Sequence, residues 1–150
     1  MQWNGGVVYV EAEFPNPLFA KDGEIYDFDG KKCIVIGGAY SVDKKIRLAR
    51  NLGWWEDEQS SDEIKARVEE KLRANNTIDI VLSHTCPMEY IPREMFLEGI
   101  DNSKVDNSTE LWLDEVEDKL HYTRWFSGHY HTDKTIDKLR FMFDDFLELR

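Results

Sequence analysis

The sequence predicts an α/β fold, a sheet with helices packed against it, and three observations predict it. Apolar-patterned runs of strand length and runs with helical periodicity follow one another in the order strand, helix, helix, strand, helix, strand. An Asp-Gly pair at 29–30 separates two of the apolar runs, as a hairpin turn would. The chain has 150 residues, 41% hydrophobic and 13% aromatic, enough for one sizeable core, and no repeat or linker divides it, so a single domain over 1–150 is expected.

The first third reads as strands. "VVYVEAEF" (7–14) opens it, and "FPNP" (14–17) is a loop, because closely spaced prolines stop helix and strand ladders alike. "EIYDFDGKKCIVIGG" (24–38) then carries the hairpin, since both central residues of the favoured two-residue turn need positive φ. In "SVDKKIRLARNLG" (41–53), Ile46, Leu48, Ala49 and Leu52 lie at helical spacing, and Gly53 is placed to end the helix. "SSDEIKARVEEKLRANN" (60–76) is a clearer helix, with Ser60 and Glu63 as a capping box and Ile64, Val68 and Leu72 as its apolar stripe.

"TIDIVLSH" (77–84) is nearly continuous in apolar residues, the pattern of a strand covered on both faces. A polar loop follows over 85–108. "TELWLDEVEDKL" (109–120) predicts a third helix burying Leu113, Val116 and Leu120, and "YTRWFSG" (122–128) the next strand. The tail from 135 supports two readings. Ile136, Leu139, Phe143 and Leu147 would share a helix face, whereas the aromatics and the Asp144-Asp145 break favour two strands.

Charge narrows the partners. Nineteen basic against thirty acidic residues give a formal charge of -11, which disfavours binding to a nucleic-acid phosphate backbone. Two cysteines, Cys33 and Cys86, are too few for a disulfide scaffold, and no apolar run reaches the length of a membrane span. The protein is expected to be soluble and cytoplasmic, with free thiols.

The candidate chemistry lies where strands end. "IDIVLSH" delivers His84, and "YTRWFSG" is followed by His129 and His131. If the two strands are parallel neighbours, the three imidazoles converge at the carboxyl edge of the sheet, where open α/β sheets bind ligands. Imidazole suits Zn, Fe, Mn or Ni, and Gly128 would let the backbone approach a cation. An H-x-H pair alone is a weak signal, and a lone histidine is more often structural. Three of four histidines just past strand ends carry more weight. The fourth, His121, is read as a partner of a helix C-terminus.

Other polar residues receive structural readings. Cys86 is taken as inert packing beside Pro87 rather than a soft ligand, and Asp43 as a helix cap. Trp54 and Trp55 are read as boundary packing, "EDEQSSDE" and "DEVED" as solvated faces, and Arg93 as a solvated side chain within reach of a phosphate.

"VLSHTCP" (81–87) followed by "FSGHYH" (126–131) resembles the last two metal motifs of the calcineurin-like metallophosphoesterases, and "GGAYSVDKKIRL" (37–48) with "WWEDEQ" (54–59) is similar to the segment preceding them. The resemblance implies an αββα sandwich with a mixed sheet and flanking helices. It also implies a two-metal site in which His84 and His129 ligate one divalent transition metal (Mn, Fe or Zn) and His131 its neighbour. A phosphoester small molecule or a phosphoprotein would be the substrate. The family's D-x-H, G-D-x-x-D and G-N-H-[DE] motifs do not occur in this sequence. The chain is thus expected to form the C-terminal half of such a domain, with one metal or none and no hydrolysis by itself. Unpaired strand edges would make it a homo-oligomer or a strand-exchanging protein.

Overall fold

The computed structural model describes residues 1–96 and 102–149. Three short strands, β1 (Gln2–Trp3), β2 (Gly6–Tyr9) and β3 (Phe19–Ala20), form a small antiparallel sheet. A six-stranded mixed sheet holds β4 (Ile25–Phe28), β5 (Lys31–Ile36), β6 (Thr77–Ser83), β7 (His121–Ser127), β8 (Thr135–Ile136) and β9 (Leu139–Phe141), in the order β4-β5-β6-β7-β9-β8. Strands β5, β6, β7 and β9 run parallel, and the edge strands β4 and β8 pair antiparallel to their neighbours. Helices α1 (Lys44–Ala49), α2 (Asp62–Ala74) and α3 (Ser108–Glu117) complete the mixed α/β architecture. No helix among the described residues is long and apolar enough to cross a membrane.

Local chemistry explains the elements. Asp29 and Gly30 both have positive φ, 53° and 84°, which is what the two-residue turn between β4 and β5 requires. Ile34 and Ile36 of β5, Ile78 and Val81 of β6, Trp125 of β7 and Leu139 and Phe141 of β9 share one core with Val68 and Leu72 of α2 and Trp112, Leu113 and Val116 of α3. The long crossovers through α2 and α3 are what parallel neighbours need, since a tight turn cannot return the chain in the same direction. The small sheet is fastened to β4 by Tyr26, whose hydroxyl donates to the Val7 carbonyl at 2.6 Å, and by the Asp27 amide donating to the Asn4 carbonyl at 2.7 Å.

Several expectations need correction. The strand expected over 7–14 is β2, which ends at Tyr9, and Phe14 is 61% exposed beside the prolines. Ser61, not Ser60, caps α2 by accepting from the Ile64 amide at 3.3 Å, while Ser60 donates to the Gly37 carbonyl. Helix α1 buries none of its residues, so Ile46 and Leu48 are a solvent-facing pair. It ends at Ala49, and the left-handed residue that closes it is Asn51, not Gly53: Asn51 has φ 53°, its amide donates to the Leu48 carbonyl, and the Leu52 amide donates to the Arg47 carbonyl, a Schellman closure. Asp43 occupies the N-cap position of α1 as expected, but its side chain makes no capping hydrogen bond and pairs with Arg47 instead. His121 is not at a helix end but opens β7, exposed, opposite Thr77. The tail forms the β8–β9 hairpin, because Leu139 and Phe141 alternate into the core with a period of two, but its turn is at Asp137-Lys138, and Asp144-Asp145 lies beyond the last strand rather than between two.

Candidate functional site

The parallel register sets the site. Ser83 of β6 lies opposite Ser127 of β7, so the residues that follow leave the sheet side by side. The strand ends are tied together: the His84 amide donates to the Ile36 carbonyl at 3.0 Å, and the Gly128 amide donates to the His84 carbonyl at 3.0 Å. Side chains reinforce this. The buried Trp125 indole donates to Ser83 Oγ at 2.7 Å, Ser83 in turn donates to the Thr85 carbonyl, and the Ser127 hydroxyl donates to the His84 carbonyl. His84 therefore projects from backbone fixed on both sides.

Beyond the sheet edge, His129 Nδ1 and His84 Nε2 face each other at 3.2 Å, with ring centroids 5.0 Å apart. His129 has φ 64° and His131 φ 50°, left-handed conformations unusual for residues other than glycine, so the turn is held against its local preference. Tyr130 between them supplies the hold. Its ring meets Phe141 edge-on at 5.8 Å and stacks on Phe96 at 6.2 Å, and its hydroxyl lies 3.2 Å from Thr85 Oγ1.

Two of the three sequence-predicted residues are brought together in contact. His131 is exposed, and its ring stacks on Phe143 at 4.8 Å. Among the described residues no three His, Cys, Asp or Glu side chains form a joint ligand set. The facing pair nevertheless fits a metal. Two imidazoles on one tetrahedral ion at ordinary metal–nitrogen lengths have their donor nitrogens about 3.3 Å apart, close to the observed separation.

Protonation agrees with ligation, which requires neutral imidazole. Burial, followed by the charges of His84 and His131, pushes His129 down to about 4. Burial of its inner side and the charge of His131 also lower His84. Cys86 is fully buried and its thiol is pushed up to about 12, so it offers no thiolate.

Sequence reasoning passed over two carboxylates. Glu58 lies near enough to His129 to oppose the lowering of its pKa, and it accepts from the Ser41 amide at 3.1 Å. Glu110 of α3 is 2% exposed and accepts from the Thr85 hydroxyl at 2.8 Å. Glu58 sits in the acidic stretch 56–63 that looks like a solvated face, and Glu110 stands alone between Thr109 and Leu111 with no pattern to mark it; only the tertiary contacts single them out. No family model matches the chain, and no curated protein and no solved structure matches it.

Proposed function

We propose that this protein is a metal-binding relative of the calcineurin-like metallophosphoesterases, in which His84 and His129 hold one divalent transition metal and His131 serves a neighbouring ion. The contact at 3.2 Å between His84 and His129, built from adjacent parallel strand ends, is the observation that carries this reading. The six-stranded sheet would be one of the two sheets of the αββα sandwich, with this chain forming its C-terminal half. A bound ion of this kind polarises a phosphoryl oxygen and activates water. The chain's own contribution is to hold two neutral imidazoles at ligand spacing and to shield them on the side of Tyr130.

Hydrolysis is not expected from this sequence alone, since it holds none of the D-x-H, G-D-x-x-D or G-N-H-[DE] carboxylate motifs. Titration with Zn²⁺ or Co²⁺, followed by calorimetry and by the Co²⁺ absorption bands, tests the reading. His84→Ala and His129→Ala should each weaken binding at least about tenfold, in line with loss of a ligand. Unchanged metal affinity in His129→Ala would sink the assignment.

A second reading is an oligomeric assembly module without catalysis. It rests on exposed apolar side chains at Tyr9, Phe14 and Phe19 and again at Phe143 and Phe146. Light scattering across concentrations decides it, a strictly monomeric species being the contrary result.

A further inference from the structure

A cavity of about 440 Å³ opens beside the histidine pair, a size within the usual range for small-molecule sites. His129, Tyr130 and His131 line one side, and Met88, Ile91, Met95 and Phe96 give it an apolar wall. Arg93 also lines it, and at this exposed side chain an otherwise strongly acidic protein presents a cation.

Glu110 is the exception among these residues. It is 98% buried by its 2% exposure, lines the cavity, and spends only one oxygen on the protein. Oε1 accepts from Thr85 Oγ1 at 2.8 Å, whereas Oε2 has no hydrogen-bond partner among the described residues. The nearby hydroxyls are committed. Thr85 has one proton and gives it to Oε1, which leaves the Tyr130 hydroxyl, 3.2 Å from Thr85, to donate to Thr85 or to the Cys86 sulfur, with which it also hydrogen-bonds. A buried carboxylate oxygen without a donor is costly, and such groups are where a ligand or a water is missing.

We infer that the cavity binds an apolar, aromatic-sized organic group carrying one neutral hydrogen-bond donor, a hydroxyl or N–H, which sits on Glu110 Oε2. A neutral donor fits better than an ammonium, whose removal from water would add a second buried charge. The inference rests on the metallophosphoesterase reading in one respect: this group would be the organic part of a phosphoester whose phosphate lies between the histidines and Arg93.

The test uses the full chain without metal at pH 8, with methyl-labelled methionine and two ligands of matched shape, 2-naphthol and 2-methoxynaphthalene. The sequence has four methionines, which act as internal reporters. Met88 and Met95 should shift on binding, with Met1 and Met142 unmoved. 2-Naphthol should bind at least about tenfold more tightly than its ether, a hydrogen bond to a charged group being worth about that much. Glu110→Gln should remove the preference while both ligands still bind.

Equal affinities in the wild-type chain, meaning that Oε2 takes no donor from the cavity, overturn the inference without needing any variant. So does a preference for the ether, or a shift confined to Met1 and Met142. Because no metal is present, the outcome is separable from the metal titration. A donor preference in a chain that binds no Zn²⁺ would sustain the cavity assignment and remove its phosphoester context.

Discussion

Replacing Gly38 by alanine tests how the end of β5 is joined to the segment that carries Glu58. Gly38 has φ +93°, and a Cβ placed there would lie 2.7 Å from the Ser60 backbone nitrogen and 3.0 Å from the Gln59 carbonyl carbon and the Glu58 carbonyl oxygen. The positive φ costs an L-residue about 1–2 kcal/mol. The backbone clash adds about 1–3 kcal/mol, the range for forced overpacking, because main-chain atoms cannot swing aside as a side chain can. Gly30 provides the control: its φ is +84°, and a Cβ there meets nothing within 4 Å. Gly30→Ala should therefore cost only the conformational part. Urea unfolding followed by tryptophan fluorescence should give a deficit for Gly38→Ala larger than that for Gly30→Ala by about 1–3 kcal/mol. At this chain length each kcal/mol corresponds to about 2–4 °C in Tm. The Ala39 amide donates to the Glu58 carbonyl at 2.9 Å, so the same substitution should also move the His129 imidazole resonance. Equal losses in the two variants would refute the close-approach reasoning.

Burial raises the Glu110 carboxyl above its ordinary range against the lowering effect of the Thr85 hydroxyl. A raised acid stabilises the fold at low pH and loses that contribution as pH rises through its folded value, so Glu110→Gln should gain stability relative to wild type at pH 8 over pH 4. His129 works in the opposite sense. With its pKa lowered from 6.5 to about 4, the folded state binds fewer protons than the unfolded chain in that window, and stability should fall as pH drops through it. His129→Asn should flatten this slope in denaturant midpoints measured at pH 7 and pH 4.5. Trp125→Phe removes the 2.7 Å bond to Ser83 Oγ beneath His84 and should cost about 1–2 kcal/mol by urea unfolding. Cys33 and Cys86 are both fully buried with thiols pushed up to about 12, so a thiol reagent at pH 8 should label them only in urea.

The sequence by itself determined the order of elements from β4 to β7, the Asp29-Gly30 turn and the delivery of His84 and His129 past the ends of two apolar strands. These depend on periodicity and turn chemistry, which act over a few residues. It could not choose between helix and strands for the tail, because Ile136, Leu139, Phe143 and Leu147 share a helix face while the aromatics and the Asp144-Asp145 pair favour strands. The pairing of β9 with β7 buries Leu139 and Phe141 and decides the matter. Tertiary structure alone also decided that His131 turns onto Phe143 while His129 faces His84, since the two rings differ in neighbours and not in sequence pattern. The same holds for Glu110. On a helix rich in acidic residues it is unremarked as a letter, and it acquires meaning only because α3 seats it against Thr85, where water cannot solvate its second oxygen.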